Sequence, residues 1–327
     1  MRPGLRCGAA VAALLTSLAA PAAAGDFALA LPIDCTLGES CYIQQYVDDD
    51  PGPGAGDYRC GPLSYDGHKG TDFALPDLAT MRRGVNVLAA APGVVRGFRD
   101  GMADRLASSE TAGEIAGREC GNGVLIDHGD GWETQYCHMK AGSIRVTTGQ
   151  TIATGEVLGQ VGLSGQTQFP HVHLSVRHDG AVIDPFAPEG ARCGDDTPAR
   201  DLWTETPAYE PGGLIAAGFA ANVPSFQAVK AGTAADPTLN SQSPALVLYG
   251  YAYGGRQGDV LEITINGPKG EVISHSDGLE GAKAQLFRAA GKRQPPGGWP
   301  RGRYIGIVRM LRGGEEIDSV RVTLALD

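Results

Sequence analysis

Five residues in three short segments combine the side-chain types of a catalytic metal centre. They are His68 and Asp72 in GHKGTDFAL, His138 in YCHMK, and His171 and His173 in PHVHLSV. Catalytic zinc sites use three protein ligands, imidazole and carboxylate among them, and keep one position for water. That water loses a proton near neutral pH and becomes a nucleophile. Five candidates exceed three ligands, so two imidazoles remain to accept a proton or stabilise an oxyanion. His171 and His173 stand two apart on an expected strand, which puts both on one face and Val172, Leu174 and Val176 on the other. One can bind the metal while the other sits beside its water. The same alternation in ETQYCHM turns His138 to the side of Tyr136 and away from Cys137. Asp72 opens TDFAL, and Gly67 and Gly70 flank the turn that brings His68 toward it.

These segments are far apart in the chain, so a fold must assemble them. The pattern is one of short strands: TDFAL, VNVLAAA, GVVRGF, GVLIDHG, ETQYCHM, SIRVTTG, VLGQVG, HVHLSVR and AVIDP, with CYIQQYVD before them. DHGDG and RHDGA have the composition of hairpin turns. One helix is expected, from Gly101 to Arg118, with Met102, Leu106 and Ile115 as its apolar points. Residues near 195–235 are rich in Pro, Ala, Gly and Thr and read as a linker or a wrapping segment. A second β region follows: ALVLYGYAY, DVLEITING, EVISHS, RYIGIVRML and DSVRVTLAL. Strands at this spacing suggest a small β-sandwich, immunoglobulin-like in type, and no aromatic cluster is legible in it.

The ordered motifs resemble the LytM/lysostaphin-type zinc metallopeptidases, which cut peptide bonds in bacterial cell-wall peptidoglycan. That family carries His-x-x-x-Asp before an apolar strand, then Tyr-x-His, then His-x-His. Here these read HKGTD, YCH and HVH, in that order, with GNGVLIDHGDG and GQTIATGEVLGQVGLSG between them. The resemblance covers roughly residues 66 to 186, an ordinary domain length. It implies an antiparallel β-sheet peptidase domain, one zinc ion bound by His68, Asp72 and His173, catalytic roles for His138 and His171, and a peptidoglycan peptide as substrate. The chain departs from the family pattern at Phe169, where glycine is usual, at Ser175, and in a long insertion from Phe98 to Cys120.

The expected organisation is a signal peptide at 1–24, a zinc peptidase domain at 25–198, a linker at 199–235 and a β-sandwich domain at 236–327. Arg2, Arg6, the apolar run Ala9 to Ala20 and Ala22-Ala23-Ala24 form an export signal, which predicts a periplasmic or secreted protein with no transmembrane segment after cleavage. Its removal takes Cys7 and leaves six cysteines, an even count that favours disulfides. Among their 15 possible pairings, Cys35–Cys41, Cys60–Cys120 and Cys137–Cys193 are preferred. A net charge of −10 argues against nucleic acid or an anionic membrane as partner, because both reward basic patches. His-Glu-x-x-His is absent, which excludes the thermolysin-like plan, and no Gly-x-Ser-x-Gly elbow is present. His128, His178 and His275 lie outside the motifs, Asp127, Asp130 and Asp179 read as turn formers, and Asn122 reads as a turn residue within reach of the site. The alternative function is a non-hydrolytic module that binds the wall or activates other hydrolases and keeps zinc for structure. A further alternative is a surface protein whose second β region is the working part.

Overall fold

Gly-Asp punctuation between alternating apolar runs produces short antiparallel strands with tight turns. In the computed structural model, which describes residues 27–190 and 200–327, these strands build a deep sheet followed by a two-layer sandwich. The expected leader at 1–24 and Cys193 lie outside the described residues. The first region holds β1 (Tyr42–Gln45), β2 (Thr71–Ala74), β3 (Asn86–Leu88), β4 (Gly93–Arg99), β5 (Asn122–Gly129), β6 (Trp132–Met139), β7 (Thr151–Ile152), β8 (Val157–Gln160), β9 (His171–His178) and β10 (Ala181–Ile183). Its main sheet runs β1-β2-β9-β6-β5-β4-β7, with β10 also paired to β9, while β3 and β8 pair separately. The β5–β6 and β9–β10 hairpins turn on Asp130-Gly131 and Asp179-Gly180, all at positive φ, as a two-residue turn of this hand requires. One face packs a core that includes Phe73, Val124, Ile126, Tyr136, Val172, Leu174 and Val176. The other face of β2 and β9 carries the candidate site.

The stretch Gly101–Arg118 is not one helix. Only α2 (Ala112–Ile115) is helical; α1 (Leu78–Arg83) lies earlier in the chain. Backbone N–H groups of Arg105 and Ala107 donate instead to the carbonyls of Leu163 and Thr167. The Asp104 carboxylate accepts from the N–H groups of Ala141 and Leu163. Long-range partners thus take the hydrogen bonds that a local helix would use. SIRVTTG likewise forms no strand.

The expected linker 199–235 contains two ordered elements, β11 (Gly213–Ala220) and α3 (Phe226–Ala231). β11 is a full member of the second region, with β12 (Ala245–Gly255), β13 (Val260–Gly267), β14 (Gly270–Gly278), β15 (Lys283–Arg293), β16 (Gly302–Arg312) and β17 (Glu315–Leu326). Its small residues allow close packing: a Cβ on Gly218 would stand 2.8 Å from the Tyr249 ring. The sheets β11-β12-β15 and β14-β13-β16-β17 enclose Leu246, Leu248, Ile263, Ile265 and Val308. On the outward face of β12, Tyr249, Tyr251 and Tyr253 form a buried aromatic row. An aromatic cluster therefore exists in this region, turned toward α3 and the first region.

That row docks the two regions together. Tyr253 meets Tyr42 with ring centroids 4.5 Å apart. Gln44 donates to the carbonyl of Ala284 at 2.9 Å, and Gln285 donates to Tyr42 Oη and to Gln44 Oε1. Gln44 and Tyr42 are buried by this contact, so their polar atoms must be paired within it. Among the described residues, no helix is long and apolar enough to cross a membrane.

Candidate metal centre

The sheet register assembles the site. Asp72 pairs with His173 and Ala74 with His171 across β2–β9, while Cys137 pairs with His173 across β6–β9. Paired residues share a face, so Asp72, His171, His173 and Cys137 look the same way. His68 reaches them from the turn before β2. Gly70 permits that turn: a Cβ there would stand 2.6 Å from His173 Nε2 and 2.5 Å from the carbonyl of Leu174.

His138 arrives by a different route from the one alternation predicts. Tyr136 pairs with Leu174 and faces the core, on the side opposite Cys137. Between Val124↔Tyr136 and Asn122↔Met139 the register slips by one residue, so β6 bulges there. His138 takes up the extra residue at φ 60°, a left-handed conformation uncommon outside glycine. Its side chain thereby joins the face of Cys137 rather than that of Tyr136. Cys120 flanks the bulge: its carbonyl accepts from the His138 N–H at 2.8 Å, and its sulfur is bonded to Cys137. That bond overturns both expected pairings, Cys60–Cys120 and Cys137–Cys193, because the end of the insertion folds back onto β6. Cys35–Cys41 forms as expected, and Cys60 is also disulfide-bonded.

Outer hydrogen bonds set the tautomer of each imidazole. His68 Nδ1 donates to the carbonyl of Tyr46 at 2.6 Å, and His138 Nδ1 to that of Ser164 at 2.8 Å. His171 Nδ1 donates to the carbonyl of Phe169 at 2.9 Å. Ser175 donates its hydroxyl proton to the carbonyl of Lys69, so it accepts from His173 Nε2 at 3.1 Å. Each ring therefore turns an unprotonated nitrogen inward. His68 Nε2 and His173 Nδ1 stand 3.1 Å apart, and Asp72 Oδ1 lies 3.3 Å and 2.8 Å from them. Three close acceptors of this kind make a pocket suited to a cation. Tetrahedral ligands at about 2.0–2.1 Å from zinc stand about 3.3 Å from one another, which these separations approach. His68, Asp72 and His173 thus form a group fit for a metal ion. His138, His171 and His173 form a second all-imidazole group. The first contains the carboxylate, whose negative charge favours a divalent cation.

Electrostatics agree with this division. Burial opposes ionisation of Asp72, but the neighbouring His68 and His171 outweigh it and hold its carboxyl well below the usual range. Burial, reinforced by His171 and His173, pushes His138 well below the ordinary imidazole value, so it is neutral near pH 7. Burial also lowers His173, against the pull of Asp72. His68 is raised: burial opposes this, but Asp72 and the Tyr46 carbonyl favour the charged form.

Sequence reasoning missed Tyr65, which is 51% exposed and lies over the His68 ring at 4.4 Å, forming a lip to the site. Its only sequence signal is its place three residues before His68. Ser175, noted only as a departure from the family, is the partner that orients His173. Asn122 is a clamp, bonding Met102 and Met139. His128 binds Pro92 and Thr134, and His178 stacks on Trp132, both away from the site.

Known proteins resemble this part of the chain. The family description "Peptidase family M23" matches residues 66–185. The DD-carboxypeptidase/endopeptidase Mpg of Neisseria meningitidis serogroup B is 31% identical over 134 residues, 40% of this chain and 25% of that protein. The peptidoglycan DD-endopeptidase ShyA of Vibrio cholerae is 31% identical over 117 residues, 36% of this chain and 22% of that protein. The chain thus spans a quarter or less of the length of these curated relatives. The solved catalytic domain of the prophage-encoded M23 protein EnpA from Enterococcus faecalis is 24% identical, with a TM-score of 0.32 over 49% of this chain and 96% of that one. The motif order, the register that unites it and the family match coincide on one segment. Residues 66–185, which carry all five candidate residues, are similar to peptidase family M23.

Proposed function

We propose that this protein is an exported, zinc-dependent endopeptidase that hydrolyses peptide bonds in bacterial cell-wall peptidoglycan. The observation that carries the reading is the convergence of the inward nitrogens of His68, His171 and His173 within 3.4 Å of the Asp72 carboxylate. His68 Nε2, Asp72 Oδ1 and His173 Nδ1 would hold the zinc ion. Zinc, when bound, acidifies a water molecule and polarises the scissile carbonyl. His138 and His171 keep Nδ1–H anchored to carbonyl oxygens and direct Nε2 into the site. Each is built to take a proton from the attacking water and pass it to the leaving amine. In the protonated form each can also donate to the oxyanion of the tetrahedral intermediate.

The relatives' names support peptidoglycan as the substrate class. The disulfides support an oxidising compartment outside the cytoplasm. The test is digestion of purified peptidoglycan by the zinc-loaded full-length chain, with mass analysis of released fragments. Wild type should release peptide-cleaved fragments, and Asp72→Ala should lose both bound zinc and all release. Release by a zinc-free Asp72→Ala protein would overturn the proposal. Wall binding without release by the wild type would favour the non-hydrolytic alternative.

A further inference from the structure

Phe169 holds His171 in two ways. Its ring stacks on the imidazole, with centroids 4.3 Å apart and planes 23° apart. Its carbonyl accepts from His171 Nδ1 at 2.9 Å and from the Thr167 hydroxyl at 2.7 Å. The carbonyl fixes which nitrogen carries the proton, and the ring restricts rotation of the imidazole about its own axis.

Phe169 is in turn seated by the second β region. Its ring packs into a cluster of Tyr42, Ala74 and Tyr253, with Ile215 alongside. Tyr253 and Ile215 belong to β12 and β11 of the sandwich; Tyr42 and Ala74 belong to the peptidase sheet. Tyr42 pairs with Ala74, and Ala74 with His171, so the cluster lies on the face that carries the site. Tyr253 is 5% exposed and pinned against Tyr42, and the Gln44–Ala284 and Gln285 hydrogen bonds fix the sandwich there. A continuous path of packed rings therefore runs from β12 to His171. At the position where the family usually has glycine, this chain has a ring that reaches both.

We propose that the C-terminal sandwich is a positioning element of the active site: Tyr253 seats Phe169, and Phe169 keeps Nε2 of His171 turned toward Asp72. This rests on the reading of His171 as catalytic. Nε2 of His171 lies 3.4 Å from Asp72 Oδ1, so a small rotation of the ring would carry it out of reach. Positioning losses of this kind lower turnover while substrate contacts and metal ligands stay in place.

The test uses full-length, zinc-loaded protein with carbon-13 labelled histidine. The variants are Phe169→Ala, Tyr253→Ala, their double variant and Tyr253→Phe, with Tyr253→Leu in reserve should Tyr253→Ala not fold. Phe169→Ala should move the His171 ring resonance and lower kcat about tenfold, with KM and zinc content unchanged. Tyr253→Ala should do both to a lesser degree, and Tyr253→Phe should restore both. The double variant should match Phe169→Ala alone, because the two residues act in series. A Tyr253→Ala protein with a wild-type His171 resonance and wild-type kcat would overturn the proposal, and so would purely additive losses in the double variant. A wild type that shows the coupling in its histidine spectrum but no hydrolysis would support the positioning path and overturn the catalytic reading instead.

Discussion

The two β regions spend their structure differently. Among the described residues, the non-glycine positions at positive φ are Cys60, Asp130, His138 and Asp179, all in the first region. Two of these serve hairpin turns; His138 sits inside a strand, at a bulge. The sandwich has none, and its strands β12, β15, β16 and β17 are 11 or 12 residues long. Its core is aliphatic and aromatic, whereas the first region buries four of the five site residues at 7% exposure or less. At His138 the backbone irregularity coincides with the candidate site, as expected where strain is retained for function. The regular region supplies a firm surface against which the irregular one is held.

The largest effect expected from one substitution beyond the proposed metal ligands is at the bulge. His138→Ala should cut hydrolysis about 10²–10⁴-fold, the usual worth of a positioned proton-transfer group, while zinc content stays at one per chain. A parallel loss of zinc would place His138 among the ligands and erase the distinction between the two groups of site residues. In the sandwich the matching substitution acts on stability alone. Leu248→Ala, at a fully buried position, should cost about 2–5 kcal/mol in denaturant unfolding and leave zinc affinity unchanged.

A smaller effect is expected one step from the proposed metal ligands. Ser175→Ala removes the acceptor of His173 Nε2–H, and zinc affinity should fall about 10–100-fold in a chelator competition. The smallest effect separates two buried aspartates of the same region. Asp72 is pushed down by imidazoles, whereas burial, reinforced by Asp49, raises Asp184 to about 8. A raised carboxyl contributes stability below its unfolded value, and this is lost as pH rises through about 8. Asp184→Asn keeps the acceptor for the Phe186 N–H and does not titrate. Its melting temperature should match wild type near pH 4 and exceed it by a few degrees near pH 9. A constant difference across that range would show that Asp184 is ionised throughout.

Much of the site was legible in the sequence because its motifs are ordered and its strands alternate. β9 obeys that alternation: Val172, Leu174 and Val176 enter the core while His171 and His173 face the site. The rule failed one strand away. A bulge whose extra residue is histidine rather than glycine leaves no mark in composition, so the face of His138 could not be read. The insertion misled for a related reason. Met102, Leu106 and Ile115 have spacing compatible with a helix, but the backbone of that stretch is claimed by carbonyls near residues 163–167. With the insertion misread, nothing placed Cys120 beside Cys137. β11 was hidden by its glycine and alanine content, which serves close packing under Tyr249 rather than flexibility. The tyrosines of β12 were in plain view at period two, but only their partners on β1 show that they form a docking face.

The central claim concerns which side chains hold the metal and which stay free of it. The most direct measurement is a crystal structure of the zinc-loaded protein, with the ion located by its anomalous scattering. The account predicts one zinc ion in bonding contact with His68 Nε2, Asp72 Oδ1 and His173 Nδ1, and His138 and His171 beyond bonding distance. A zinc ion held by His138, His171 and His173, or one held by all five side chains with no position left for water, would contradict it.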